Sequence, residues 1–532
     1  MYIGRMLLQR MRVPRDLLRF AFARYATRVA LITPAGQFSY AELADRSYRL
    51  AQVMAAAEVN RLNGVLVWSA CQDDLLFASL AALEHGCVLT ALDAATTRST
   101  VAQACQLLAP RLLLHDTALT DAAHELQALC PTLRTIAFGE ELEQMLRSAP
   151  ATPCSTLIAA EDLCGLGFTS GTTGPPKVLS ATHGIQMTSL RLVLKNVTGI
   201  GLSRGPELAL LGIPLGGAGS GLLLPTLGSG GTLVLPSRFD AAALARAVAQ
   251  HRVTRLFTTP SLLIDLLDLP LHERGDMSSL RNLIYGTEWL PAAKIEEALR
   301  CFGPILQQGY GCAEVLPPVS MLQPADHWVG GAPAPRDVLS SAGRVVPQAQ
   351  VRVLGEHGEV LPERQVGQIA VKSPTVFPGY WKRPDLSAQV LRDGWYRTGD
   401  MGYLAAGGWL HVLGRSADVI RRAGRTIYPR PIEEALHDHP AVKESALVQV
   451  GDAAVMAVSL RRVMRVAALD TQACAAELLA FLRQRIDPAQ LPDRVQIMEE
   501  LPRSALAKVL RREVRALLQR QTETTAPNEA AA

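Results

Sequence analysis

Ten consecutive residues, Phe168, Thr169, Ser170, Gly171, Thr172, Thr173, Gly174, Pro175, Pro176 and Lys177, concentrate hydroxyls, glycines and a single ammonium. Ser170, Thr172 and Thr173 offer O–H donors, Gly171 and Gly174 let backbone N–H groups approach an anion closely, and Lys177 adds a compact charge. The chemistry this suits is the grip of a polyphosphate. The segment differs from the common triphosphatase loop, which ends Gly-Lys-Ser/Thr and opens a helix: Pro175 and Pro176 remove two amide donors, and Val178 follows the lysine. Hydroxyls and lysine must then carry more of the binding than amides. Gly, Ser, Thr and Pro clusters also make ordinary connecting loops, so this composition does not decide the matter alone.

Further groups follow in order along the chain. They are Thr182 and His183; Gln308, Gly309, Tyr310, Gly311, Cys312, Ala313 and Glu314; Gly379, Tyr380 and Trp381; Gly394 through Asp400; Gly414 and Arg415 with Asp418; and Leu501 and Pro502 leading to Lys508. Together with the first loop, this series resembles the motifs of the AMP-forming adenylating enzymes: acyl- and aryl-CoA synthetases, peptide-synthetase adenylation domains and luciferases. The resemblance covers nearly the whole chain.

It implies an α/β fold: a large N-terminal AMP-binding domain, residues 1–413, of two α/β sheets plus a small β-barrel-like subdomain, and a small mobile α+β C-terminal domain, residues 414–520. A disordered tail, residues 521–532, would follow. The implied reaction joins a carboxylate to the α-phosphorus of ATP while pyrophosphate leaves, so charge on attacker and leaving group must be neutralised together. By resemblance, Thr169, Ser170, Gly171, Thr172, Thr173, Gly174 and Lys177 hold the β- and γ-phosphates. Glu314 serves the Mg²⁺ site, where a hard carboxylate oxygen suits a hard cation. Tyr310 lies beside adenine, with Gly311 and Ala313 in the same nucleotide site. Asp400 takes both ribose hydroxyls, Arg415 reaches the nucleotide, and Lys508 bridges the carboxylate and the α-phosphate. His183, Gly216, Gly217, Tyr285, Gly286 and Gly309 are the implied acid pocket. The acyl group would pass to coenzyme A, or to the phosphopantetheine of a carrier protein or another nucleophile.

Departures from the family pattern bear on these roles. Ala313 replaces a threonine, Val178 and Ala507 replace glycines, and Ala417 stands at the expected interdomain hinge. Between Pro214 and Pro225 no aspartate is present to pair a substrate ammonium, and Gly216 and Gly217 leave space, so an uncharged or aromatic acid is preferred over an amino acid. Glu288 is the nearest acidic alternative.

These groups need elements to position them. Apolar runs alternate with amphipathic helical patterns, as in Val29–Ile32, Tyr40–Met54, Gly64–Trp68 and Leu75–His85, which predicts largely parallel sheets buried on both faces. Short strands with turn signals between about Gly343 and Leu413 predict a β-rich subdomain. After Gly414 the pattern predicts helices over 431–438 and 472–485, a strand over 445–450, and a basic helix from about 507 to 520. The chain of 532 residues is 48% hydrophobic and 19% charged with a formal charge of +4, an ordinary globular composition whose basic excess is too small for a nucleic-acid partner. Nine cysteines without a C-x-x-C pair predict free thiols in a reducing cytoplasm. Arginines interrupt the N-terminal segment before a signal-peptide core develops. The uncharged run from Leu208 to Ser237 is long enough to span a bilayer, but its glycines and prolines predict two buried strands and a short helix.

Overall fold

The computed structural model describes residues 8–61, 63–168, 177–198, 207–216, 218–422, 424–465, 470–504 and 507–525. Short apolar runs become strands wherever both faces can be covered. Val65–Trp68 and Leu112–His115 are buried at every position, the pattern of parallel strands with helices on either side. They lie within a six-stranded sheet ordered Arg134–Ala137, Leu112–His115, Val65–Trp68, Leu89–Leu92, Leu163–Phe168 and Val178–Thr182. The last two strands pair antiparallel, with Phe168 opposite Val178, so the hydroxyl-rich segment connects two adjacent strands.

A second sheet has fourteen strands among the described residues. Its parallel part contains Val29–Thr33, Thr232–Val234, Leu208–Leu211, Arg255–Thr258, Asn282–Gly286 and Leu306–Cys312. From Val315–Leu322 onward it is antiparallel, through Arg344–Val345, Trp409–Arg415, Trp395–Ala405, Gly367–Lys372 and Gln350–Leu354. The β-rich stretch expected as a subdomain is therefore continuous with the large sheet. Ser320 and Met321 pair with Val345 and Arg344, and Arg344 pairs with Trp409. An edge strand presents unpaired N–H and C=O groups, and the following hairpins satisfy them.

The uncharged run forms the strands Leu208–Leu211 and Thr232–Val234 with the helix Leu223–Gly228 between them. Among the described residues no helix is long and apolar enough to cross a membrane.

A third sheet of three strands, Val442–Val450, Ala453–Leu460 and Arg494–Met498, carries the helices Pro429–Leu436 and Thr471–Arg483 and has its own core around Ile432, Leu447, Met456 and Leu478. The basic helix expected from about residue 507 begins instead at Arg511, and it extends to Thr525, beyond the start of the expected tail. A tight hairpin precedes it: Arg503 bridges Val509, and the Ser504 amide donates to the Lys508 carbonyl at 2.8 Å. Ala507 has φ 57°, a left-handed conformation that cannot belong to a right-handed helix. Lys508 thus sits on a hairpin, not on a helix face.

This C-terminal unit is docked on the large body. Lys294 Nζ donates to the Val442 carbonyl at 2.9 Å, the Ala292 amide to Glu434 at 2.7 Å, and Arg430 to the Ser340 carbonyl at 2.7 Å. Ala507 itself packs against a cluster of the large body that includes Leu262, Tyr285 and Ile295.

Candidate active site

The six-stranded and fourteen-stranded sheets together supply the first half of the site. Ser180, on the strand after Lys177, donates its hydroxyl to the Gly379 carbonyl at 2.7 Å, and the Trp381 amide donates to the Val178 carbonyl at 2.7 Å. These bonds fix Tyr380 beside Lys177, whose Nζ lies 5.2 Å from the ring centroid, within reach of a cation–π attraction. The Tyr380 hydroxyl donates to Glu314 Oε1 at 3.1 Å. Burial and then the Glu314 charge push the Tyr380 phenol well above its ordinary range, which keeps it a donor. Glu314 stands in the turn joining Leu306–Cys312 to Val315–Leu322, where Cys312 pairs with Val315. Val178 needs none of glycine's freedom: it is an ordinary strand residue, buried with Val88 and Leu166.

The second half lies on the large sheet. Asp400 and Arg415 are cross-strand partners, and Arg415 Nε reaches Asp400 Oδ1 at 3.1 Å. The Tyr310 hydroxyl donates to Asp400 Oδ2 at 2.6 Å. The Asp400 amide donates to Thr398 Oγ1 at 3.0 Å while Arg415 Nη1 donates to the Thr398 carbonyl at 2.8 Å, so one threonine orients both charged partners. Gly399, at φ 75°, makes the required turn between them. Burial raises the Asp400 pKa against the opposing pull of Arg415 and the Tyr310 bond, and the Glu314 charge raises it further. Each Asp400 oxygen already accepts from a protein donor and keeps a lone pair for a ligand.

The hairpin carrying Lys508 completes the constellation. Burial lowers the Lys508 pKa, Glu288 raises it, and Arg415 lowers it.

The residues read as an acid pocket occupy different environments. His183 begins the helix His183–Val193, which Thr182 caps by accepting from the Ile185 amide at 3.2 Å. Its ring is fully buried, neither nitrogen has a hydrogen-bond partner, and burial lowers its pKa to about 4. Tyr285 is also fully buried and donates its hydroxyl to His327 Nε2 at 2.8 Å, since His327 Nδ1 is engaged with the Gln323 carbonyl at 2.8 Å. Both side chains belong to the core behind the cleft. Gly286 and Gly309 are register partners at the ends of parallel strands, and a Cβ on Gly286 would lie 3.0 Å from the Gly309 carbonyl oxygen. Gly311 is as closely set, with Pro317 atoms 3.0 Å from where its Cβ would stand. Gly216 and Ala313 are exposed. Thr169, Ser170, Gly171, Thr172, Thr173, Gly174 and Gly217 lie outside the described residues.

Among the described residues no group of three or more His, Cys, Asp and Glu side chains is placed to hold a metal. Mg²⁺ commonly binds through one or two carboxylates and the phosphates of its substrate, and Glu314 offers one carboxylate, bonded to Tyr380 beside Lys177. Sequence reasoning assigned no role to Tyr380, although it stands inside the quoted series; its signal was an aromatic hydroxyl between two glycine- and lysine-marked segments.

Comparison with known proteins accords with this arrangement. Residues 18–381 match the family model of the AMP-binding enzymes, and residues 431–508 match that of the AMP-binding enzyme C-terminal domain. The chain therefore belongs to the AMP-binding enzyme family of ATP-dependent, AMP-forming acid–CoA ligases. Feruloyl-CoA synthase of an Amycolatopsis species is 33% identical over 486 residues, 90% of this chain and 93% of that protein. A medium/long-chain-fatty-acid–CoA ligase of Mycobacterium tuberculosis is 33% identical over 371 residues, which span 68% of this chain and 63% of that one. The amide bond synthetase of Marinactinospora thermotolerans superposes with a TM-score of 0.81 at 27% identity, covering 95% of this chain and 99% of that chain.

Proposed function

We propose that this chain is an AMP-forming carboxylic acid:CoA ligase of the cytoplasm, activating an uncharged acyl or aryl acid with ATP and transferring it to the thiol of coenzyme A. The observation that carries the reading is the contact chain that runs from Lys177 over Tyr380 to Glu314, alongside the joined group of Tyr310, Asp400 and Arg415, with Lys508 on the docked hairpin close enough for Arg415 to influence its charge. A reaction that brings an anionic nucleophile to a polyanionic phosphate needs such a distribution of positive charge.

In this reading Asp400 holds the ribose hydroxyls, with Tyr310 and Arg415 keeping its carboxylate ionised and oriented. Lys177 and the hydroxyl-rich segment before it hold the β- and γ-phosphates. Lys508 brings the attacking carboxylate to the α-phosphorus and neutralises charge that develops there. Glu314, steadied by Tyr380, would hold Mg²⁺, which supplies charge neutralisation on the phosphate oxygens. The fully buried side chains of His183 and Tyr285 back the wall of the acid pocket, Gly286 and Gly309 let its strands approach closely, and Gly216 leaves volume for an acid without a charged anchor. We take the junction between the two functional units to lie near Gly414, in the interval between the two family matches.

A second reading keeps the adenylation step and changes the acceptor to a carrier-protein thiol or another nucleophile. It is favoured by the similarity to an amide bond synthetase and by Ala417, exposed in the short turn Ser416–Asp418 where a charged hinge residue was expected. A hydroxamate-trapping screen over aryl, short-chain, long-chain and amino acids identifies the acid. Product analysis with that acid, with and without coenzyme A, then decides the acceptor. Acyl-CoA with AMP and pyrophosphate is the expected result; acyl-AMP that never acylates free coenzyme A overturns the thiol assignment, and ADP as product overturns the adenylation chemistry.

A further inference from the structure

The gap that Gly216 leaves is closed by a helix from the other large sheet. The loop 214–216 follows the strand Leu208–Leu211 of the fourteen-stranded sheet, whereas the helix Gln72–His85 follows the strand Val65–Trp68 of the six-stranded one. They meet at the first turn of that helix. The Leu215 amide donates to Gln72 Oε1 at 2.7 Å, and a Cβ on Gly216 would stand 3.9 Å from Leu75 Cδ2. Residues three apart on a helix share a face, so one face of this turn both holds the loop and closes the gap. The loop has little room to withdraw. A Cβ on Gly219 would lie 2.6 Å from the Pro214 carbonyl oxygen and would also strike the Ile213 carbonyl, so the chain folds back tightly beneath it.

The same layer faces the strand ends read as acid pocket. Successive residues of a strand point to opposite sides, so Ile284 and Gly286 share one face and Tyr285 takes the other. Their packing agrees: Ile284 belongs to the apolar cluster that contains Leu75, Met187 and Leu215, while Tyr285 belongs to the separate cluster with Leu262 and Ile295. Gly286 therefore faces the layer that holds the helices Gln72–His85 and His183–Val193. Gly216 is exposed, so its gap is open to a ligand, and Leu75, only 6% exposed, is the floor.

We propose that Leu75 is a specificity-determining residue for the acid: its side chain floors the gap beside Gly216 and sets how large an acyl or aryl group fits, while Gln72 fixes the depth of that floor by holding the Leu215 amide. The proposal rests on the reading of Gly216 and Gly286 as part of the acid pocket. Leu75, Met187 and Leu215 offer neither charge nor hydrogen bond, and a polar group buried against them would lose its water without compensation. The end of the acid remote from its carboxylate is accordingly an alkyl chain or an unsubstituted ring edge.

The test measures kcat/KM for acid-dependent ATP–pyrophosphate exchange by the full chain over two probe series, straight-chain acids and para-alkylbenzoic acids of increasing length. Leu75→Ala should move the optimum to longer members, raising their kcat/KM relative to the wild-type optimum about tenfold or more, with KM for ATP within a few-fold of wild type. Gly216→Ala probes the same gap from its other wall and leaves the helix intact. The Gly216 backbone is not left-handed and the added methyl makes ordinary contact with Leu75, so this variant should fold and move the optimum to shorter members. Gln72→Leu should reduce discrimination between neighbouring members about fivefold, and Gln72→Glu, which keeps an acceptor for the Leu215 amide, should restore it. Optima that stay at the wild-type position in Leu75→Ala and Gly216→Ala overturn the proposal, and an unmoved optimum in Gly216→Ala does so alone if Leu75→Ala fails to fold. An unchanged profile in Gln72→Leu removes the role given to Gln72. Gly216→Trp separates these results from the pocket reading itself: a wild-type profile there means that the acid does not lie beside Gly216, whereas loss of exchange with every acid, together with an unmoved optimum in Leu75→Ala, keeps the pocket and removes Leu75 from it.

Discussion

Replacing Asp265 by alanine tests whether the C-terminal unit is held over the cleft by charge. The Asp265 carboxylate accepts from Arg503 at 2.6 and 3.2 Å and faces Lys443 Nζ at 2.7 Å. The three side chains are only 20%, 21% and 12% exposed, in that order, so water screens them little. Burial pushes the Asp265 carboxyl up, but Arg503 and Lys443 more than offset this and hold it below the ordinary carboxylate range. Removing it leaves two enclosed cations facing one remaining acid, Glu444. Breaking a buried pair by deleting one partner costs about 3–5 kcal/mol, and because Arg503 keeps Glu444 we expect about 2–3 kcal/mol here. The loss falls on the contact between two units that have separate cores, so it weakens docking and spares each unit's folding. That energy corresponds to an undocked population about 30- to 150-fold larger. Limited proteolysis within residues 414–430 reads that population when opening and closing are fast relative to cleavage, so the cleavage rate should rise by the same factor. Asp265→Asn should behave like Asp265→Ala, since charge and not size is at issue. Wild-type cleavage rates in both variants would refute the argument and assign docking to neutral contacts such as the one between Lys294 and the Val442 carbonyl.

Lys508→Ala should lower acid-dependent ATP–pyrophosphate exchange about a thousandfold while leaving ATP affinity within a few-fold, because the charge acts mainly in the transition state; an unchanged rate removes its catalytic assignment. Glu314→Gln should raise the Mg²⁺ concentration needed for half-maximal turnover about tenfold or more, and normal metal dependence would mean that another group holds the cation. Acid should destabilise the fold: burial lowers His183 and His327 from the ordinary 6.5 to about 4, so below about pH 6.5 the unfolded chain takes up protons that the native imidazoles refuse. Stability should fall by about 1.4 kcal/mol per pH unit for each group between pH 6.5 and 4, as read from urea midpoints, and a flat profile over that range would contradict the buried, neutral state of both rings.

The parallel strands were legible because each is a short apolar run bounded by turn residues, as at Val65–Trp68 and Arg255–Thr258. Two features were not. The union of the β-rich stretch with the large sheet depends on the pairing of Ser320 and Met321 with Val345 and Arg344, a contact between residues whose local patterns are indifferent to each other. The hairpin at 503–509 was hidden by a basic sequence that reads as helix, and the left-handed alanine that breaks it has no signature in composition. Within the site, Tyr310 and Glu314, Asp400, and Arg415 stand in separate segments of the sequence, and their approach depends on the sheet: Tyr310 reaches Asp400 although the strands Val315–Leu322 and Arg344–Val345 lie between Leu306–Cys312 and Trp409–Arg415. Tyr285 and His183 were read as pocket residues, and both side chains are fully buried, since strand alternation and a helix cap decide direction and motif spacing does not.

The meeting of three sheets at one cleft divides labour among rigid plates. In the proposed reading one plate recognises the nucleoside through Asp400 and Arg415, a second grips the distal phosphates through Lys177, and the unit built on the third delivers the reactive cation on a hairpin. Each plate is internally hydrogen-bonded, whereas the seams between plates combine side-chain contacts with isolated backbone bonds such as that from Trp381 to Val178. On that reading nucleotide capture and bond cleavage are separable in space: the first two plates would hold a triphosphate intact, and only the arrival of the third would commit it to being cut.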